Sequence, residues 1–151
     1  MKPIVCPTDF SESAQVARQE AVRLARAIDA QVVLVHVATE DVQWSEGPFR
    51  PSLEAVFEAQ RKWAADALAA EVTAIAAEGV SARSVVRTGV PWEEIVRFAG
   101  EEDAQMIVMG TVGRAGLERL MLGSVAERVV RRAPCPVLTV RPPASSKGGK
   151  S

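Results

Sequence analysis

The chain has 151 residues, with 18 basic and 19 acidic side chains and a formal net charge of −1 at pH 7. That length suits one domain with a real core, and the charge balance excludes the broad cationic surface by which a protein grips nucleic acid or an anionic membrane. Hydrophobic residues at 48% and charged residues at 25% make an ordinary globular mixture, and no apolar run approaches the roughly 20 residues needed to span a bilayer.

The first element is the short apolar strand "KPIVCP", stopped at Pro7. The opening "MKPIVCPTDFSES" develops no signal-like apolar stretch, so a cytoplasmic location is expected. Cys6 and Cys135 form no CxxC pair and accompany a single histidine. Each thiol therefore reads as a small core residue in a reducing compartment, without a disulfide or a zinc site. Ser11 is a fair N-cap for a helix through Ile28, with Ala14, Ala17, Ala21, Leu24, Ala25 and Ile28 along one stripe. "QVVLVHV" is an unbroken β-branched run, expected of a parallel strand buried on both faces. His36 lies inside that run and reads as a packed core histidine rather than a catalytic one.

"ATEDVQWSEGPFRP" follows, broken by Gly47, Pro48 and Pro51; it reads as a loop, and its Trp44 as the tryptophan placed to meet a partner. Ser52 could cap a long helix to about Glu78, with Leu53, Val56, Phe57, Gln60, Ala64, Leu68, Val72 and Ile75 near helical spacing and Gly79 at its end. "ARSVVRT" suggests a strand near a sheet edge. In "PWEEIVRFAGEE", Pro91 suits the first turn of a helix, and Glu93 and Glu94 suit its dipole as a solvated start. "QMIVMG" is another buried strand, residues 124–132 a helix and "CPVLTVR" a last strand. The final ten residues, "PPASSKGGKS", have no apolar face and read as a disordered tail beyond a single domain at 1–141.

Five strands alternating with four helices are the βαβ pattern of a parallel α/β sheet wrapped on both faces. Such folds bind ligands beyond the carboxyl ends of the strands, here just after Pro7, Val37, Thr88 and Met109. After the last of these comes "GTVGRAGLERLMLGS", with four glycines in fifteen residues. Gly110 follows the strand, Gly113 comes three later, and Gly123-Ser124 opens a helix. A helix start presents unpaired amides and a positive dipole end to a phosphate. Glycines before it let backbone approach closely or take positive φ. The Ser124 hydroxyl and the Arg114 guanidinium could add donors. The plainer alternative is a flexible connection in which Ser124 only caps its own helix. GxGxxG does not fit the spacing, and the terminal "GKS" has Ala144 where a Walker A motif needs its first glycine.

Gly110-x-x-Gly113, nine residues, then Gly123-Ser124 resembles the G-2x-G-9x-G-[S/T] signature of ATP-binding universal stress proteins. "PIVCPTDFSESA", "VVLVHV", "GVPWEEIVRFA" and "MIVMGTVGRAGLERLMLGSVAERVVRRAPCPVLTV" extend the resemblance over residues 2–141. It implies a five-stranded parallel, Rossmann-like fold and an adenine nucleotide, ATP with Mg²⁺. Pro7, Thr8 and Asp9 would line the base and ribose, Val37 would pack on the adenine, and Met109 and Gly110 would continue that wall. Gly113, Gly123, Ser124 and Val125 would turn amides or a hydroxyl to the phosphates. The nine residues from Arg114 to Leu122 carry no assigned role. Where many relatives have a polar pair such as Ser-His, this chain has Thr111-Val112, which argues against efficient hydrolysis. The resemblance also implies a homodimer paired through "PVLTVR", from Pro136 to Arg141. The expected function is a nucleotide-dependent regulatory module of stress resistance, acting on an unidentified protein partner. The alternatives are a stress protein working through protein contacts without nucleotide, and a slow ATP hydrolase with Asp9 as the candidate base. Asp9 could equally serve only to turn the chain.

Overall fold

β-Branched residues pack well on a pleated surface, and the valine-rich runs of this chain supply its sheet. The computed structural model describes residues 1–39, 52–112 and 122–143. In chain order it contains β1 (Ile4–Pro7), α1 (Glu12–Ile28), β2 (Val32–Ala38), α2 (Leu53–Ala77), β3 (Ala82–Thr88), α3 (Pro91–Glu101), β4 (Met106–Gly110), α4 (Ser124–Arg132) and β5 (Val137–Val140). The strands form one sheet in the order β3-β2-β1-β4-β5, every neighbouring pair parallel. The five-stranded parallel α/β fold expected from the residue pattern is the fold observed.

Alternate strand residues point to opposite faces, so each strand divides its apolar side chains between two cores. Ile4, Cys6, Val32, Leu34 and Val108 pack with α1 and α2 through Ala17, Ala21, Leu68 and Ile75. Val5, Val33, Val35, Ile107 and Met109 pack with α3 and α4 through Ile95, Phe98 and Val129. β1, buried along its whole length, has β2 on one side and β4 on the other. Strand order therefore reverses between β1 and β4, and their carboxyl ends, Pro7 and Gly110, border the crevice that such a reversal opens.

The helix boundaries follow local chemistry. Ser11 Oγ accepts from Ala14 N at 3.1 Å and Ser52 Oγ from Ala55 N at 3.1 Å, so α1 and α2 each start at a serine cap. Pro91 opens α3, where its missing N–H leaves nothing unpaired. Gly79, at φ +85°, ends α2 in a backbone conformation that other residues rarely adopt.

The residues at helical spacing along α2 are not all buried. Of its 25 residues only Ala64, Leu68 and Ile75 are buried, and Leu53 is 42% exposed. Length is the reason: at 1.5 Å per residue the helix is about 37 Å long, while seven-residue β2 covers about 23 Å. The C-terminal part of α2 covers the sheet, and its first three turns stand beyond the sheet's carboxyl edge.

Candidate functional site

After Pro7 the chain leaves the sheet through a turn whose amides are met by its own side chains. Thr8 N still donates to Val35 O at 2.9 Å, continuing the β1–β2 ladder by one bond. Thr8 Oγ1 then accepts from Phe10 N at 3.0 Å, and Asp9 Oδ1 accepts from Ser11 N at 3.0 Å. Phe10 sits at φ +65°, an uncommon and costly conformation for a bulky residue. It carries the Phe10 ring to 4.8 Å from His36 and 5.0 Å from Trp63, centroid to centroid. His36 Nδ1 lies 2.8 Å from the Thr8 carbonyl oxygen. A carbonyl only accepts, so Nδ1 carries the hydrogen of this bond. His36 is thus half-buried at the rim of a cavity rather than packed in the core. It is the sixth residue read from Gln31, where the strand runs past the helices that cover its start.

On the other side of the crevice, Thr111 N donates to Val140 O at 3.2 Å and Gly123 N donates to Thr111 O at 2.6 Å. The two ends of the glycine segment are therefore tied to each other. Gly123 is the N-cap of α4 at φ −63° and ψ 159°, a conformation open to any residue, and among the described residues no side chain caps the helix. The first bond of α4 runs from Glu127 N to Gly123 O at 2.9 Å. Ahead of it stand the amides of Ser124, Val125 and Ala126, all three residues lining the cavity.

The two glycines border the cavity, but their missing side chains make room for protein rather than for ligand. A Cβ on Gly110 would lie 2.2 Å from Ser13 Oγ and 3.0 Å from the Ser13 carbonyl, so Gly110 is what lets α1 press on β4. A Cβ on Gly123 would lie 3.0 Å from Thr111 O and 3.5 Å from Val112 Cα. Neither position needs positive φ. Ser124 does not cap its own helix either; it is the first helical residue, and it is exposed. Beside Gly110, the buried hydroxyls of Ser13 and Thr111 have no hydrogen-bond partner among the described residues.

Between these two rims lies a cavity of about 970 Å³, at the upper end of the usual range for small-molecule sites. Pro7, Thr8, Asp9, Val37, Met109, Gly110, Gly123, Ser124 and Val125 all line it. The other two expected site residues, Gly113 and Arg114, lie outside the described residues. So do Trp44 with its Gly/Pro-broken loop, Gly116 and residues 144–151 of the tail. Two further walls were not named from the residue pattern: Val56, Ala59, Gln60 and Trp63 from the overhanging turns of α2, and Pro91 and Ile95 from the start of α3. The available signal was the mismatch in length between α2 and the strands.

Charges around the crevice hold it in shape. Glu94 is not a solvated helix start: it is 8% exposed and accepts from Arg87 Nε at 3.1 Å and Arg97 at 2.5 Å. Arg87 also makes a two-pronged pair with Glu101 at 2.9 and 3.1 Å, and this bonding chiefly drives its guanidinium pKa upward. The pairs bind the end of β3 to α3 and so fix Pro91 and Ile95. Burial, followed by the charge of Glu71, pushes the Cys6 thiol up to about 12, which keeps it a protonated core group. Trp92 packs away from the cavity, under the Arg132 guanidinium at 5.7 Å.

Residues 1–141 match the family model described as the universal stress protein family. A universal stress protein of Methanocaldococcus jannaschii is 43% identical over 144 residues, covering 94% of this chain and 83% of its own. The solved structure of universal stress protein UspA from Lactobacillus plantarum superposes with a TM-score of 0.80 at 27% identity, over 93% of this chain and 97% of that one. The universal stress protein from Archaeoglobus fulgidus in complex with dAMP superposes with a TM-score of 0.62 at 30% identity, over 92% and 97% of the two chains.

Proposed function

The chain belongs to the universal stress protein family, and from that footing we propose that its cavity binds an adenine nucleotide, ATP carried with Mg²⁺, with the phosphates on the N-terminus of α4. The observation that carries this reading is the uncapped start of α4, whose amides at Ser124, Val125 and Ala126 border the cavity at the point where strand order reverses. Such an end attracts anions through its dipole and its unpaired donors. The Archaeoglobus fulgidus relative, in complex with dAMP, supports the choice of an adenine nucleotide. Val37 and Met109 supply apolar walls for a purine, and Asp9 an acceptor for a ribose hydroxyl.

Micromolar affinity requires about 8 kcal/mol in total, whereas one contact with a helix dipole supplies only about 0.3–1 kcal/mol at an exposed site. Several donors must therefore act together on the phosphates. Among the described residues no group of three or more His, Cys, Asp or Glu side chains could hold a metal. Mg²⁺ fits here as an ion brought by the phosphates and its own water, with Asp9 the cavity-lining carboxylate among the described residues.

The site is read as holding ATP more than turning it over. Asp9, the cavity-lining carboxylate among the described residues, is assigned to the ribose, and Thr111-Val112 stands where many relatives have a polar pair. The protein then acts as a nucleotide-dependent regulatory module of stress resistance, its state read by a protein partner. The family match over residues 1–141 supports one functional unit, with the last ten residues an appendage. Among the described residues no helix is long and apolar enough to cross a membrane, in keeping with a cytoplasmic site of action. A second copy of the chain pairs along β5, an edge strand that leaves Leu138 37% exposed. Leu138→Arg should then turn a dimer into a monomer in sedimentation.

Calorimetric titration of nucleotide-stripped protein with Mg-ATP, AMP and adenosine tests the main reading. Affinity should rise with the number of phosphates. Equal affinity for adenosine and Mg-ATP, or no binding of any of the three, would overturn it.

A further inference from the structure

The cavity has chemically different ends. α4 packs on β5 and places the amides of its first turn at the β4 side, whereas α2 packs on β2 and β3 and walls the opposite side. β2 and β4 are two strand spacings apart across β1, about 10 Å, enough to hold a base at one end and phosphates at the other. The α2 wall is largely apolar: Val56, Ala59 and Trp63 line the cavity, as do Val37 and Ile95. One α2 residue in that wall is different in kind. Gln60 lines the cavity, is exposed and lies on the same helical face as Val56 and Trp63.

Among the described residues, three other polar side chains near that end are engaged by the turn, while Thr39 and His36 Nε2 each offer a single group rather than a donor and an acceptor side by side. Thr8 Oγ1 takes the Phe10 amide, Asp9 Oδ1 takes the Ser11 amide, and His36 Nδ1 donates to the Thr8 carbonyl. The Gln60 amide offers one acceptor and one donor side by side. That pair is complementary to the edge of adenine that carries the N6 amino group and N7; guanine presents two acceptors along the same edge. We propose that Gln60 is a specificity-determining residue of this site, reading the N6/N7 edge of adenine from the overhanging turns of α2 and rejecting guanine. Trp63 and Ala59 form the apolar wall beside it. This assignment rests on the nucleotide reading above and adds to it the side chain that selects the base.

The test is a comparison of ATP, GTP and 7-deaza-ATP binding to nucleotide-stripped wild type and Gln60→Met, which keeps the length and helix preference of the side chain and removes both amide groups. Gln60 is exposed, so the thermal midpoint without ligand should stay unchanged. Wild type should prefer ATP to GTP and to 7-deaza-ATP. In Gln60→Met the preference over GTP should fall by about tenfold, and that over 7-deaza-ATP should vanish. An unchanged ATP-to-GTP ratio in the variant, or equal weakening of all three ligands, would overturn the role of Gln60 while leaving the nucleotide reading intact. Wild type that binds none of the three would overturn the nucleotide reading, and this inference with it.

Discussion

At the start of α1 the chain meets its own donors. Ser11 Oγ accepts from Ala14 N at 3.1 Å, and Asp9 Oδ1 accepts from Ser11 N at 3.0 Å. At the start of α4, at the same edge of the sheet, Gly123 offers no side chain, and its own amide is spent on Thr111 O at 2.6 Å. Both ends face the cavity region, but one is closed by local chemistry and the other is open. A helix start left open is costly unless water or a ligand meets its amides, and this difference is what favours α4 as the proposed phosphate end. Glycine is central to both arrangements. Gly110 lets α1 lie close on β4, and Gly123 lets the far end of its segment return to Thr111.

The contrast can be broken most severely at Gly110. Gly110→Val drives a branched side chain into Ser13, and overpacking of this kind costs about 3 kcal/mol. The thermal midpoint should drop by roughly 6–12 °C, with or without nucleotide. Gly123→Val would strike the Thr111 carbonyl, so lost binding in that variant would not separate a phosphate clash from a damaged segment. Ser124→Asp separates them. A carboxylate at the first position of α4 should stabilise the helix by about 0.3–1 kcal/mol, while repelling a triphosphate and weakening Mg-ATP by about 1.4 kcal/mol, or tenfold. Thermal melts and titration should thus move in opposite directions.

Ser11→Ala is the matching change at the closed end. Loss of the cap should cost about 1 kcal/mol of stability in denaturant unfolding and leave Mg-ATP affinity where it was. The smallest effect is expected at Glu127, an acidic residue in the first turn of α4 that pairs with Arg131 at 3.0 Å. Glu127→Gln removes a charge of the wrong sign for a phosphate and should tighten Mg-ATP by about 0.3 kcal/mol, seen best as a shift in titration midpoint at low salt.

Much of this was legible in the residues. Serine caps, Pro91 and the valine runs mark where elements begin and end, because each acts within a few residues of itself. The stretch after Met109 was legible as backbone at close quarters, but not what it approaches. Only the packed structure shows Ser13 against Gly110 and Thr111 against Gly123. Periodicity says that residues share a helical face, not what covers it, so the spacing along α2 did not show that its first turns wall a cavity. Glu94 and Arg87, seven residues apart across a strand and a turn, show no spacing rule that announces their pairing. His36 sits in an unbroken β run, and only the length of the strand beyond its covering helices brings it to the rim.

The central claim is that the open end of α4 receives the phosphates. Amide NMR of the nucleotide-stripped protein, titrated with Mg-ATP, reads both helix starts at once. The amides of Ser124, Val125 and Ala126 should show large shifts that adenosine does not reproduce, while that of Ala14, held by Ser11, should stay near its starting position. Shifts at Ala14 equal to those at α4, or an unmoved α4 start under saturating Mg-ATP, would contradict the account.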